Sequence, residues 1–302
     1  MTYRGENMLD ASSARFNRRL SQFATSITAA GSVAALLIAI ALFSLNKTHY
    51  TTRTTSLGSS YPVYRRDAVL RVVSLNVHAG LDAAGNDRVD AIAQLLSELN
   101  PDLVGLQEVR RNDPATRRVP QDVVFSSKTG MVALFQPLVW LLGPVQGNAV
   151  LSRAYPLAEN SMTVAGRNER RGILLISIKL GETEVDFINV HLGLSRPERS
   201  EQVQAIVDLV TKRNNPAIIA GDFNVSPDSE ELLPLAAIAR EAWDAALVRH
   251  GTGYTFPAAN PTVRIDQIWV YGPLEALEAQ VIAANVSDHL PVMATIRLKP
   301  LF

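Results

Sequence analysis

The stretch PAIIAGDFN, residues 216–224, runs from an apolar segment into a polar end. Its Ile-rich centre is typical of a strand, and the polar end contains Asp222 and Asn224. These two residues lie two positions apart, so on an extended backbone their side chains point to the same side. The stretch therefore predicts a buried strand that carries two polar groups to one edge of a sheet.

The same pattern recurs along the chain. Strand-like apolar runs occupy residues 68–78, 102–109, 173–180, 185–192, 264–271 and 290–298. Near their ends lie side chains that can bind metal or move protons, namely Asn76, His78, Glu108, His191, Asp222, Asn224, Asp266, Asp288 and His289. Because strand ends that meet at one edge of a sheet build a site there, the recurrence predicts a functional site.

Helical periodicity alternates with these strands. Apolar residues recur at helical spacing from Val89 to Leu99 and again from Val203 to Val210. Residues 181–183, Gly-Glu-Thr, lie between two apolar runs and predict a hairpin turn. Strands outnumber helices, so we expect an α/β (α+β) sandwich of two mixed sheets covered by helices.

Composition narrows the class of protein. The chain has 302 residues, of which 47% are hydrophobic, so it can bury a substantial core. It contains no cysteine, which excludes disulfides, thiolate nucleophiles and Cys-bound zinc. Residues 1–66 carry 8 Lys and Arg against 2 Asp and Glu, which leaves the main body mildly acidic. That charge argues against a protein that binds DNA through its phosphates alone.

The N-terminal part predicts a membrane anchor. Residues 27–45 form a run of 19 residues without a charge, close to the length needed to cross a bilayer. Basic residues flank the run on both sides, with a slight bias toward a cytoplasmic segment at residues 1–26. A cleaved signal peptide is the alternative. Under either interpretation, the rest of the chain is exported.

The segments after this run complete the predicted domain organisation. Residues 46–66 are rich in Thr and Ser and predict a linker, and residues 67–302 form the predicted globular domain. If the N-terminus is cytoplasmic, the protein is a single-pass protein of the inner membrane with its globular domain on the periplasmic side.

Seven ordered motifs resemble the endonuclease/exonuclease/phosphatase superfamily, whose fold is that of deoxyribonuclease I. They are SLNVH (74–78), LQEV (106–109), GNAVLSR (147–153), NVHLG (189–193), GDFN (221–224), RIDQIWV (264–270) and SDHLPV (287–292). The resemblance covers residues 69–298. It implies a four-layered sandwich, with two mixed β-sheets face to face and helices outside, and a metal-dependent hydrolase of phosphate esters.

The resemblance implies an oxygen-rich metal site. It assigns Glu108 as a metal ligand, with Asn76 as a ligand or as an amide that orients one, and Asp288 completing the set. Such hard oxygen ligands suit Mg²⁺, or Mn²⁺ in its place. A phosphodiester repels nucleophiles because its oxygens are anionic, so the site must supply a cation and an activated water.

The resemblance also implies the catalytic groups. His289 is expected to pair with Asp266, and Asp222 with Asn224 to position or deprotonate water and bind a phosphoryl oxygen. Either His289 or Asp222 can be the general base at this point. His191 is expected on the leaving-group side.

Three further residues are expected to contact the phosphate ester. They are Asn148 in GNAVLSR, Arg171 and Arg264. His78 is left outside the catalytic set, because the family match centres on Asn76.

The substrate is the open question, because the superfamily acts on DNA, sphingomyelin and inositol phosphates alike. The predicted membrane segment favours a phospholipid-type or other small phosphodiester. An exported nuclease is the first alternative, and a non-catalytic, membrane-anchored binding protein on the same fold is the second. The motif set is intact, which argues against the second.

An apolar stretch next to Asn148 has two interpretations. Residues 131–142 are too short to span a bilayer, and Pro137 interrupts them. They form either buried core structure or a hydrophobic lip beside the site that contacts lipid.

Overall fold

The computed structural model describes residues 69–299, apart from residues 165, 167 and 168. The predicted cytoplasmic segment, transmembrane helix and linker at residues 1–66 lie outside the described residues. Within the described range, no helix is both long enough and apolar enough to cross a membrane.

The described residues form thirteen strands in two sheets. The strands are β1 (Val69–Asn76), β2 (Leu103–Arg111), β3 (Val132–Trp140), β4 (Val145–Ser152), β5 (Ala158–Val164), β6 (Arg171–Leu180), β7 (Thr183–His191), β8 (Ala217–Asp222), β9 (Ala239–Glu241), β10 (Val248–His250), β11 (Asp266–Tyr271), β12 (Leu274–Val281) and β13 (Val292–Leu298). The first sheet has the order β10-β12-β13-β1-β2-β4-β3, and the second β5-β6-β7-β8-β11-β9.

Both sheets are mixed. Strand β1 pairs parallel with β2 and antiparallel with β13. Strand β7 pairs parallel with β8 and antiparallel with β6. The predicted hairpin is confirmed, since Leu180 pairs with Thr183 across Gly181, whose φ of 62° suits a glycine.

Five helices lie in the described range. They are α1 (Val89–Leu99), α2 (Gln121–Thr129), α3 (Arg196–Arg213), α4 (Leu233–Ala236) and α5 (Ala242–Ala245). The apolar face of α1 packs on the first sheet, where Ile92 and Leu96 join a cluster with Leu75. The apolar face of α3 packs on the second sheet, where Val203 and Ile206 lie in another cluster.

A third apolar cluster fills the space between the two sheets. Leu70 and Val72 of β1 lie in it together with Phe187 of β7 and Ile268 of β11. Helices therefore cover a sandwich of two mixed sheets, and the predicted fold class is confirmed for the described domain.

Strand β8 shows why its sequence is continuously apolar. Ile218 and Ala220 face the cluster between the sheets, whereas Ala217 and Ile219 face the cluster under α3. Every residue of the strand is buried. A strand covered on both faces loses the polar alternation of a half-exposed strand, so polar residues appear only at its end.

The apolar stretch at residues 131–142 forms an edge strand and its turn. Strand β3 lies at the edge of the first sheet and pairs only with β4 among the described strands. Leu138 is buried, whereas the turn that follows exposes Trp140 (55%), Leu141 (39%) and Leu142 (106%). The stretch is therefore not wholly buried, because most of β3 is only partly buried and the stretch ends in an exposed apolar tip; contact of this tip with lipid stays a prediction.

Candidate active site

Strand ends from both sheets converge on one cavity of about 310 Å³. Parallel pairing aligns Asn76 of β1 with Gln107 of β2, and His191 of β7 with Asp222 of β8. Antiparallel pairing then places the first residue of β11, Asp266, opposite Asp222. The predicted residues that line the cavity are Asn76, Glu108, Arg171, His191, Asp222, Asn224, Asp288 and His289.

His289 and Asp266 form the predicted dyad. His289 Nδ1 lies 2.8 Å from Asp266 Oδ2, and Asp266 is fully buried behind the imidazole. Burial opposes a charge on the imidazole, but Asp266, Asp222 and Asp288 outweigh it and raise the pKa of His289 to about 10. His289 is therefore an imidazolium at neutral pH.

The ring of Phe256 packs on this imidazole. The two ring centroids lie 4.7 Å apart, and the planes are tilted by 45°. One residue before it, Thr255 accepts a hydrogen bond through Oγ1 from the backbone N–H of Asp266. Thr255 and Phe256 thus fix both members of the dyad.

His191 has the opposite charge state. Burial, the Arg171 guanidinium and His289 lower the pKa of His191 well below its ordinary value of 6.5. Its Nδ1 lies 3.2 Å from Arg171 Nη1, and arginine can only donate, so Nδ1 accepts and the proton resides on Nε2. That Nε2 faces Asp222 Oδ2 at 3.5 Å.

Asp222 occupies the centre of the cavity floor. Its Oδ2 accepts a hydrogen bond from Asn76 Nδ2 at 3.1 Å and lies 3.9 Å from His289 Nε2. Its Oδ1 accepts the backbone N–H of Asn224 at 2.8 Å. Burial and the nearby Asp266 carboxylate raise the pKa of Asp222 to about 7, so it can exchange a proton near neutral pH.

Asn224 follows β8 in a left-handed conformation with φ of 54°. Asparagine tolerates this conformation better than most residues. Its Nδ2 donates to the carbonyl of Leu192 at 2.9 Å, which fixes the amide at the cavity wall beside His191.

The predicted metal ligands line the same cavity as Asp222. Glu108 has a left-handed φ of 57° at a bulge in β2, and its Oε1 accepts a hydrogen bond from Asn76 Nδ2 at 3.2 Å. The same Nδ2 contacts Asp222, so Asn76 acts here as an amide that orients carboxylates. Asp288 borders the cavity and accepts from Ser287 Oγ at 3.3 Å.

The donor set fits a hard divalent cation. Carboxylates from Glu108 and Asp288 line one cavity, and oxygen ligands are those that Mg²⁺ and Mn²⁺ prefer. Ligand atoms of Asp222, Asp266 and His289 also lie within 4.8 Å of one another. His289 Nδ1 and Asp266 Oδ2 already bind each other at 2.8 Å, so we expect the cation beside Glu108 and Asp288.

Two predicted phosphate-binding residues lie elsewhere. Asn148 is buried on β4 and donates through Nδ2 to the carbonyl of Gly172 at 3.0 Å, behind Arg171. Arg264 lines a different cavity of about 850 Å³, where its Nη2 lies 2.8 Å from Asp244 Oδ2. The structure does not bring either side chain to the cavity of Asp222.

Several residues of the cavity region were not among the predicted set, including Gly193 and Glu198, which line the cavity. Glu169 lies 3.4 Å from Arg171 Nη1, and Leu194 exposes 69% of its surface at the rim. Phe256 covers His289, and the Nδ1 of His78 lies 3.6 Å from Asp288. His78 lies inside SLNVH and Leu194 directly follows NVHLG, so these two carried a sequence signal, whereas Glu169 and Phe256 lie outside the seven motifs.

Comparison with known families identifies the class of protein. The model of the endonuclease/exonuclease/phosphatase family matches residues 73–289, which is most of the chain. The chain belongs to this family, which catalyses phosphoester hydrolysis. The resemblance seen in the motifs is thereby confirmed.

Solved structures show the same fold at low sequence identity. A family member from Bacteroides vulgatus is 19% identical and superposes with a TM-score of 0.66, covering 77% of this chain and 100% of that chain. A mannosyl-6-phosphatase from Bacteroides thetaiotaomicron is 18% identical, with a TM-score of 0.62 and coverage of 75% and 99%. A truncated TDP2 from Caenorhabditis elegans is 20% identical, with a TM-score of 0.58 and coverage of 76% and 97%. A search of curated proteins found no match.

Proposed function

We propose that the protein hydrolyses a phosphodiester by in-line attack of an activated water, with Mg²⁺ or Mn²⁺ as cofactor. One observation carries the proposal. A cationic His289 held by Asp266, and a carboxylate at Asp222 able to exchange protons near neutral pH, line the same cavity as Glu108, which shares the Asn76 amide with Asp222. This arrangement combines positive charge for an anionic ester with a group that accepts a proton.

The charge states assign the roles. His289 has its Nδ1 bound to Asp266, so its Nε2–H is the group that donates to a phosphoryl oxygen. Asp222 is the better base, because an imidazolium has no lone pair with which to take a proton. These charge states support Asp222 as the general base of the proposed reaction.

Arg171, His191 and Asn224 hold the ester. Arg171 supplies a second fixed positive charge at the wall of the cavity. His191 is neutral and presents its Nε2–H toward the cavity floor, so it donates a hydrogen bond on the side of the leaving oxygen. Asn224 is fixed beside it.

A divalent cation would be held by Glu108 and Asp288, with Asn76 orienting Glu108. When bound, it supplies Lewis-acid stabilisation of the developing charge and favours ionisation of water.

The substrate of the proposed reaction is a phospholipid-type or other small phosphodiester. Leu194 places exposed apolar surface at the rim of the cavity. The apolar tip, formed by Trp140, Leu141 and Leu142, lies nearby, since the Arg170 guanidinium is 5.9 Å from the centroid of the Trp140 ring and precedes Arg171. An apolar rim beside cationic groups suits an acyl chain joined to an anionic headgroup.

The membrane context belongs to the same proposal. Residues 27–45 would anchor the chain in the inner membrane, with the catalytic domain on the periplasmic side and near a lipid surface. Protease treatment of spheroplasts tests the topology: the catalytic domain should be digested from outside, and its protection would contradict the proposed orientation.

A substrate panel tests the function. The purified full chain is assayed on bis(p-nitrophenyl) phosphate, p-nitrophenyl phosphate, plasmid DNA, RNA, sphingomyelin and glycerophospholipid, each with Mg²⁺, Mn²⁺ or EDTA. We expect metal-dependent hydrolysis of the soluble diester and of a phospholipid. Cleavage of nucleic acid without lipid hydrolysis would instead establish the nuclease alternative, and no turnover of any ester would favour a binding protein.

The apolar tip gives a sharper test of the substrate. Charging it by Trp140→Asp with Leu142→Asp should lower the rate on vesicles relative to the rate on the soluble diester by about tenfold, because apolar burial in the bilayer is lost. Leu247→Asp is the matched control, since Leu247 is also exposed (71%) but does not line the cavity. An unchanged ratio in the tip variant would contradict a role in lipid contact.

A further inference from the structure

The backbone that carries Glu108 is strained and needs support. Strands β2 and β4 pair at Leu106–Ala149 and again at Val109–Gly147, so Gln107 and Glu108 lie in a bulge between the two pairs. Within it, Glu108 adopts a φ of 57°, a conformation that side chains other than Gly, Asn and Asp rarely adopt. Such a conformation persists only where neighbouring groups hold it.

The support comes from the opposite sheet, through Asn189 of β7. This residue is fully buried. Its Nδ2 donates to the carbonyl of Leu106 at 2.8 Å and to that of Ala149 at 2.9 Å. These carbonyls belong to the last regular pair before the bulge. Its Oδ1 accepts from Gln107 Nε2 at 2.7 Å, so one amide binds both strands and the residue next to Glu108.

Gly105 of β2 leaves room for the side-chain amide of Asn189, because glycine has no Cβ. A Cβ on Gly105 would lie 2.8 Å from Asn189 Oδ1, closer than packed atoms allow. The absence of that carbon lets the Asn189 side chain reach across the space between the sheets.

Asn189 also connects the bulge of β2 to the end of β7 that lines the cavity. It lies two residues before His191 on β7, and His191 is in register with Asp222. Strand β7, which ends at His191, therefore holds the bulge of Glu108 through the single side chain of Asn189.

We infer that Asn189 is a positioning residue, which fixes the bulge of β2 and so holds Glu108 in place to bind the cation. The inference rests on the proposed function, since it concerns the metal side of the same site. The inference does not require Asn189 to contact the substrate or the reacting atoms. It predicts that loosening Asn189 weakens metal binding beyond any effect on folding.

Two variants of the full chain test the inference. Asn189→Ala removes the amide, and Gly105→Ala displaces it while leaving its chemistry intact. Ser177→Ala is the matched control, because Ser177 is also fully buried and donates through Oγ to Asp186 at 2.7 Å, but on strand β6 away from the bulge. Folding is compared by urea unfolding, and Mn²⁺ binding is measured by electron paramagnetic resonance without substrate.

We expect Mn²⁺ affinity to fall about tenfold or more in Asn189→Ala, with a smaller fall in Gly105→Ala, as for other residues that orient a metal ligand. The kcat on bis(p-nitrophenyl) phosphate should fall in parallel. Ser177→Ala should keep both values within about twofold of the wild type.

The outcomes separate the inference from the proposed function. The inference is overturned if Asn189→Ala has the same metal affinity and the same kcat as Ser177→Ala. If Asn189→Ala does not fold, the same comparison is made with Gly105→Ala. A wild-type chain that binds Mn²⁺ but hydrolyses no ester would overturn the proposed function alone. A wild-type chain that binds no Mn²⁺ would overturn both.

Discussion

Two cavities border the segment at residues 252–264, and they differ in what their charged groups do. The larger, of about 850 Å³, contains Arg264, whose guanidinium is paired with Asp244 and Glu241. The smaller, of about 310 Å³, contains the strand-end residues of the candidate active site. Behind His289, buried Asp266 Oδ1 has no hydrogen-bond partner among the described residues.

The comparison supports the smaller cavity as the candidate active site, although it has less volume than the other. In the larger cavity the cations are already neutralised by carboxylates or bound to backbone carbonyls, as Arg240 is to that of Leu274. In the smaller cavity, packing forces like and unlike charges together and shifts the pKa of His191, Asp222 and His289 in different directions. Burial also raises the pKa of Glu241 in the larger cavity, but only the smaller cavity combines raised and lowered pKa values on neighbouring groups, as catalytic sites often do.

The largest expected effect follows from Asp222→Asn in the smaller cavity. The amide cannot take a proton, so kcat should fall by about 10³-fold, in the range that general base catalysis supplies. Initial rates on the soluble diester measure this effect, and circular dichroism controls for folding. A kcat within about tenfold of the wild type would show that another group is the base.

The two cavities can be compared directly through one arginine in each. Arg171→Gln should lower kcat/KM by about tenfold or more, because a charged hydrogen bond to the ester is lost. Arg264→Gln should leave kcat/KM within about twofold and lower the free energy of unfolding by about 2 kcal/mol, since it breaks the pairing with Asp244 and Glu241. Both are measured by steady-state kinetics and urea unfolding. The reverse pattern would mean that the larger cavity binds substrate.

The smallest expected effect is on the pH dependence of the free energy of unfolding, and it comes from Glu241, which lines the larger cavity. Burial raises the pKa of Glu241 from its ordinary value of 4.5 to about 7. The stability linked to this carboxyl is therefore fully present below about pH 4.5 and is lost as the pH rises through about 7.

Glu241→Gln should remove this dependence. Relative to the wild type, the variant should gain about 1–3 kcal/mol in the free energy of unfolding between about pH 4.5 and about pH 8. Urea unfolding at several pH values measures the gain, and diester hydrolysis should stay unchanged. Parallel pH curves for the two proteins would contradict the raised pKa.

Local sequence predicted the sheets and most of the site because burial on both faces leaves a clear pattern. Strands such as β8 are apolar except at their carboxyl ends, which carry the polar residues. Parallel pairing brings those ends together. The family match extends over residues 73–289 and explains why the motifs occur in order.

Details that depend on the other sheet or on the strand boundary escaped sequence analysis. Arg264 lies two positions before Asp266, but β11 begins only at Asp266, so strand alternation does not place the two side chains together. The left-handed backbone of Glu108 depends on a bulge held from β7, far away in sequence. Asn148 turns toward Gly172, a residue of the opposite sheet.

The most direct test of the central claim is the rate at which the full-length wild type and Glu108→Gln hydrolyse bis(p-nitrophenyl) phosphate with Mg²⁺, Mn²⁺ or EDTA. We predict that EDTA abolishes wild-type turnover and that Glu108→Gln loses at least about 10²-fold of the metal-dependent rate. A Glu108→Gln chain with the wild-type rate, or a wild-type rate unaffected by EDTA, would contradict a metal-dependent hydrolase site in this cavity.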